Sequence, residues 1–249
     1  VSAVGYAYDD VFFASIERGS QRSASVVVPL VLRSFAVQSV LDVGCGRGAW
    51  LAVWRELGVA VHGVDGAYVD ARALLVPAEH FTGVDLARPF ALGRRFDLVQ
   101  CLEVAEHLPP AAAEGLVSSL CAHGDAVLFS AAPPGQGGEH HVNERPYTYW
   151  RELFRAHGYE LFDPYRAALA GRADVEPWYR YNTFLYVQSA RVTEALERFR
   201  VPAERAPVDV APPLYRFRRR VVGLLPISVM TAVAQAKKHL VVRWLRLRG

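Results

Sequence analysis

Five short apolar runs recur along the first half of the chain. They read SVLDVG, VAVHGVD, a weaker HFTGVD, FDLVQCL and AVLFSA. Helix-like stretches such as AWLAVWRELG and AAAEGLVSSLCAHG lie between them. Parallel strands need a crossover of a dozen or more residues, so strands alternating with helices imply a parallel sheet covered by helices on both faces. Ligands of such sheets bind beyond the carboxyl ends of the strands. The residues at those ends are the informative ones. Gly44 to Gly48 follow the first run, Asp65 closes the second and Asp85 the third, Glu103 follows the fourth, and PPGQGGEHHVNERP follows the fifth.

The loop VLDVGCGRGAWL sets three glycines, Gly44, Gly46 and Gly48, between a strand and a helix. Glycine lets a backbone come close to a ligand, and the helix N-terminus beyond it favours negative charge. The text also fits G-x-G-x-x-A, a dinucleotide fingerprint, so the loop alone leaves the nucleotide open. The acids narrow it. Asp42 at the strand end suits a cationic group better than a pyrophosphate. Asp65 can take both hydroxyls of a ribose, and Asp85 can accept from an adenine amine. A ligand with an amino-acid cation, a ribose and an adenine is S-adenosylmethionine.

VLDVGCGRGAWL, GVD, VDL and FDLVQCLEVAEHL as a set resemble a class I S-adenosylmethionine-dependent methyltransferase over roughly residues 36–190. The resemblance implies a Rossmann-like, seven-stranded, mostly parallel sheet. It implies that Asp42, Gly44 and Gly46 hold the methionine part, Asp65 the ribose, and Asp85 with Leu86 the adenine. Cys45, Gly66, Cys101 and Leu102 join the cofactor-binding set on the same ground. The expected organisation is an N-terminal helical lead-in over 1–35, a methyltransferase domain over 36–190, and a basic helical extension over 191–249. Tyr8 and Phe12 in the lead-in are read either as a cover over the cofactor or as core.

Glu103, Glu106 and His107 form E-x-x-E-H. On a helix these positions share a face, and two carboxylates with an imidazole can bind a divalent cation. The motif resembles the ubiquinone-pathway O-methyltransferases and the small-RNA 3′-terminal ribose O-methyltransferases, and in the latter a later histidine completes a metal site. Here that histidine is His140 or His141. The metal set is thus Glu103, Glu106, His107 and His141, holding Mg²⁺ or another divalent ion beside the acceptor hydroxyl. In a metal-free reading, His141 or His140 is a general base, with Glu106 and His107 in the active site. One of the two adjacent histidines should point away if the segment is extended. PPGQGG reads as a flexible lid. Asn143, Glu144, Tyr147 and Tyr149 read either as acceptor contacts or as helix capping and packing.

Charge is unevenly distributed. All 25 acidic and nineteen of the 28 basic residues lie in 1–210, so 211–249 carries nine basic residues and no acid. That tail suggests an anionic partner. Val241, Trp244, Leu245 and Leu247 alternate there with Arg243, Arg246 and Arg248, a pattern for packing in a homodimer, for peripheral membrane contact over 214–249, or, less favoured, for nucleic acid. Its longest apolar-rich stretch, Val221 to Ala236, contains Gly223 and Pro226 and falls short of a span of about 20 residues. The N-terminus lacks a signal-peptide pattern. Cys45, Cys101 and Cys121 form no C-x-x-C, which suits a reducing cytoplasm, with membrane association left open.

The functional expectation is an enzyme that moves a methyl group to a hydroxyl of a small molecule, a sugar or natural-product intermediate. A nitrogen acceptor or an RNA ribose hydroxyl are the alternatives within the class. An NAD-dependent oxidoreductase and a non-catalytic module that serves a membrane or complex are the alternatives outside it.

Overall fold

The computed structural model describes residues 10–34 and 36–246. Seven strands form one sheet: β1 (Ser39–Val43), β2 (Ala60–Asp65), β3 (Phe81–Gly83), β4 (Leu98–Leu102), β5 (Ala126–Ser130), β6 (Tyr159–Phe162) and β7 (Phe184–Gln188). Their spatial order is β3-β2-β1-β4-β5-β7-β6. The first five in chain order run parallel, and β7 lies antiparallel to both β5 and β6. The expected architecture is therefore present.

The strands are apolar because both faces of the sheet are covered. Side chains alternate between two cores with a period of two. On β5, Ala126 and Leu128 enter one core, and Val127 and Phe129 enter the other. The first core is closed by α1 (Asp10–Ser34) and α2 (Ala49–Glu56), through Val27, Val28, Val31 and the fully buried Trp54. The second is closed by α3 (Ala113–His123) and α4 (Tyr147–Ala156), through Leu116, Leu120, Trp150 and Phe154. The described part of the helical lead-in is the single helix α1.

Short helices α5 (Arg166–Leu169) and α6 (Pro177–Asn182) lead into β7. Past it come α7 (Glu194–Glu197) and an irregular stretch in which Val201 donates to the Leu161 carbonyl of β6. The chain ends in two helices, α8 (Pro213–Val222) and α9 (Ile227–Arg246). The last of these packs along α1. No helix among the described residues is long and apolar enough to cross a membrane.

The topology places the site. β1 lies between β2 and β4, and the chain winds away from it in opposite directions. At that reversal the connections leave a crevice above the strand ends. Asp42 of β1 stands in register with Gln100 of β4 at its edge.

Candidate active site

A cavity of about 710 Å³ opens at this crevice. One end is made by the glycine loop and the ends of β1 to β3. At Gly44 the backbone is left-handed, with φ 80°, and a Cβ there would run into the Val104 side chain. Only glycine satisfies both conditions. The turn lets Asp65, at the end of β2, reach back under the loop. Its carboxylate accepts from the Gly46 and Gly66 backbone N–H groups at 2.7 and 2.6 Å and from the Tyr68 hydroxyl at 2.7 Å. Burial still raises its pKa, and these three donors pull the other way.

Asp42 is buried as well. Desolvation is the main cause that lifts its pKa from 3.8 to about 7; Gln100 opposes the rise and the nearby Asp65 adds to it. Gln100 is oriented by Trp54, whose Nε1 donates to its Oε1 at 3.1 Å. Asp85 is more exposed. It accepts from the Ala87 N–H at 3.0 Å and pairs with Arg88 at 3.6 Å. Cys45, Gly66, Leu86 and Leu102 also line this part of the cavity.

Cys101 does not. Its fully buried side chain points into the α3–α4 core, because it stands one residue out of phase with Gln100 and Leu102, which line the cavity. The expected cofactor contact by Cys101 is corrected accordingly.

The other end of the cavity is built from the E-x-x-E-H segment and the loop after β5. The motif does not lie on an α-helix. Glu103 is left-handed, with φ 56°, and Ala105–His107 form a single tight turn. Glu103 therefore finds partners of its own. Its carboxylate accepts from Gln136 Nε2 at 2.6 Å and Asn182 Nδ2 at 3.2 Å. Ligand atoms of Glu106, His107 and His141 lie within 4.8 Å of one another, and Glu103 is outside that group. The expected four-residue metal set reduces to three because the turn after β4 gives the Glu103 carboxylate to Gln136 and Asn182, although it stays close enough to Glu106 to raise its pKa.

The loop is pinned to the motif. The Glu106 carbonyl accepts from the Val142 and Asn143 N–H groups at 2.9 and 3.0 Å. Glu144 accepts from the Gly135 and Gly137 N–H groups at 2.7 Å each, and its Oε1 lies 2.9 Å from His141 Nδ1. These bonds restrain PPGQGG, which was read as a flexible lid. Gly138 leaves room for the His141 ring, since a Cβ there would overlap Nε2. The rings of His141 and His107 meet edge to face, 4.7 Å between centroids. Burial, then the neighbouring His141 and His140, hold the His107 pKa well below 6.5.

His140 also lines the cavity. One of the pair was expected to point away, but the backbone here turns, with φ 59° at His140, and its N–H reaches Thr231 Oγ1 at 3.2 Å. Tyr147 belongs to the core: it is buried and donates to Asn182 Oδ1 at 2.9 Å.

Glu106 is fully buried, and neither carboxylate oxygen has a hydrogen-bond partner. Burial drives its pKa well up and Glu103 adds to the rise; the backbone amides of Glu106 and Ala132, near but out of hydrogen-bonding geometry, offset part of it. A buried, unpartnered carboxylate beside two imidazoles is a donor set that suits a divalent cation.

The roof was not foreseen. Phe13 and Ile16 of α1, Tyr215 and Arg218 of α8, and Met230 and Lys237 of α9 all line the cavity. Arg218 donates to the Gln136 carbonyl at 3.1 Å. At Gly135 a Cβ would overlap the Arg219 carbonyl of α8, so the glycines of the loop let α8 lie against it. Phe13, stacked under Arg47 at 5.1 Å, takes the covering place considered for its neighbours. Tyr8 and the side chain of Phe12 lie outside the described residues.

A family model described as a methyltransferase domain matches residues 16–166, more than half of the chain. Over 108 residues the chain is 32% identical to a ubiquinone biosynthesis O-methyltransferase of Pseudoalteromonas translucida, covering 37% of this chain and 43% of that protein. A protein of the same description from Methylobacterium sp. is 36% identical over 101 residues, 38% of this chain and 39% of the other. The chain thus spans under half the length of these curated relatives. Among solved structures, the magnesium protoporphyrin IX methyltransferase of Synechocystis PCC 6803 with bound SAM superposes with a TM-score of 0.53 at 23% identity, over 74% of this chain and 86% of that one. An amino pentose methyltransferase of Micromonospora echinaspora gives 0.53 at 18% identity, over 74% and 98%. At such identities the likeness speaks for the fold. The chain belongs to the methyltransferase domain family, and its architecture is that of a class I S-adenosylmethionine-dependent methyltransferase.

Proposed function

We propose that this domain transfers the methyl group of S-adenosylmethionine to a hydroxyl of a small molecule, such as a sugar or a natural-product intermediate. One observation carries the reading: a single cavity is lined by Asp42, Asp65 and Asp85 at one end and by Glu106, His107 and His141 at the other. The description of the curated relatives as O-methyltransferases supports an oxygen acceptor.

In this reading Asp42 faces the ammonium of the methionine part, Asp65 takes the ribose hydroxyls from Tyr68, and Asp85 with Leu86 flanks the adenine. His141 holds the acceptor hydroxyl. With no ion bound and Nδ1–H donated to Glu144, its Nε2 is free to accept the hydroxyl proton. The acceptor oxygen bonds to the methyl carbon as the carbon–sulfur bond breaks. The electron pair of that bond stays on sulfur, which leaves S-adenosylhomocysteine. Positioning supplies most of the rate. With a divalent ion bound, Glu106, His107 and His141 would instead be its ligands, and the ion would lower the pKa of the acceptor hydroxyl.

Transfer of labelled methyl to a panel of hydroxylated sugars and phenols tests this, with and without chelator, in the parent protein and in Glu106→Gln. The expected product is an O-methyl ether. Chelator should suppress transfer and Mg²⁺ restore it, and Glu106→Gln should be slower by about a hundredfold. Methylation of nitrogen alone would overturn the oxygen assignment, and full activity in chelator would remove the ion.

A further inference from the structure

We propose that the helix pair α8 and α9 is a docking surface for an anionic lipid membrane. Nine of the twelve large hydrophobic side chains that are exposed among the described residues lie between 214 and 240. They are ordered. Leu214, Phe217 and Val221 follow i, i+3, i+7 spacing on α8, with Leu214 79% and Phe217 62% exposed. Val229 and Val233 begin a second stripe on α9, one turn apart. Leu224, 83% exposed, stands at the turn between the helices. An apolar surface of this extent marks an interaction site.

Charge chooses the occupant. Residues 211–249 hold nine basic residues and no acid. Helical spacing puts Arg220 beside the α8 stripe, where a long basic side chain can reach headgroup phosphates while its stem covers apolar surface. Among the described residues, Arg216 and Arg220 have no acidic partner, whereas the buried Arg219 pairs with Asp209. A second copy seated on this face by a two-fold axis would set arginine against arginine. No described helix is long and apolar enough to span a bilayer, so the two helices lie on its surface.

The ridge also borders the cavity. Leu225 and Val233 line the cavity and are exposed on this segment, so the opening lies along the membrane-facing edge. The docking inference does not depend on which acceptor is methylated.

Flotation of the full chain with vesicles tests it, using phosphatidylcholine alone and an equimolar mixture with phosphatidylglycerol. The chain should float with the anionic vesicles, stay behind with the neutral ones, and be released by added salt. Two variants avoid the cavity: Leu214→Ser/Phe217→Ser/Leu224→Ser and Arg216→Glu/Arg220→Glu. Each should melt like the parent and bind S-adenosylhomocysteine like the parent, yet lose roughly tenfold or more of the partitioning. The proposal is overturned if the parent does not float with anionic vesicles, or if both variants float as well as it does. It is also overturned if the parent sediments as a dimer that the serine variant splits, since the ridge would then be a self-interface.

Discussion

Asp65 and Glu106 are both buried carboxylates in the same cavity, and they are treated in opposite ways. Asp65 accepts three hydrogen bonds, two of them from backbone of the glycine loop and the next turn. Neither oxygen of Glu106 accepts one. The first carboxylate is part of a finished cradle, built from strand ends that the sheet holds in register. The second stands in a site completed by a long loop and by two helices from the far end of the chain. A carboxylate with partners is shaped to receive a ligand by exchange, as when a ribose hydroxyl replaces the Tyr68 hydroxyl. One without partners gains most from a cation or a proton. The two ends should therefore fail separately when perturbed.

The largest effect is expected at the histidine end. Gly138→Val places a side chain where the His141 ring lies. Turnover should fall about a hundredfold, because a displacement of about 1 Å in a positioning group costs that much. Affinity for S-adenosylhomocysteine should stay put, and a parallel loss of binding would break the separation. Next comes Gly44→Ala at the other end. Its left-handed backbone and the crowding by Val104 should cost about 1–3 kcal/mol, seen as a lower Tm and weaker cofactor binding. The smallest effect is in the protons of Asp42. Its native pKa of about 7 exceeds the ordinary value of 3.8, so the native state holds the extra proton. Its contribution to stability is therefore greatest at low pH and is lost as pH rises from 3.8 through about 7. A cationic ligand favours the ionised form, so calorimetry at about pH 6 should register release of up to about one proton on binding, absent in Asp42→Asn.

The contrast also explains what could be read from the chain. The glycine end was legible because each element of it follows an apolar strand within a few residues, and strand ends of a parallel sheet converge by topology. Asp42, Gly44, Asp65 and Asp85 needed no long-range information. Cys101 was misjudged by one step of strand alternation. Glu103 was misjudged because E-x-x-E-H was given helical spacing, whereas a left-handed residue breaks the segment after its first glutamate. The roof was invisible for another reason. Lys237 reaches the cavity through the packing of α9 along α1, some two hundred residues apart in sequence, and Tyr215 and Arg218 through α8 lying against the loop after β5. The glycines of PPGQGG gave a trace of it. They read as a loop signal, yet Gly135 is where the backbone of α8 comes too close for a side chain.

The division of the cavity into a cofactor end and an acceptor end is tested most directly by calorimetric titration of S-adenosylhomocysteine into the parent, Asp65→Asn and His141→Ala. Circular dichroism should first show all three folded. Asp65→Asn should bind at least about tenfold more weakly, having lost the charged acceptor of its hydrogen bonds. His141→Ala should bind within about twofold of the parent, because the ring lies at the other end. Equal affinity in the parent and Asp65→Asn, or a collapse of binding in His141→Ala, would contradict the account.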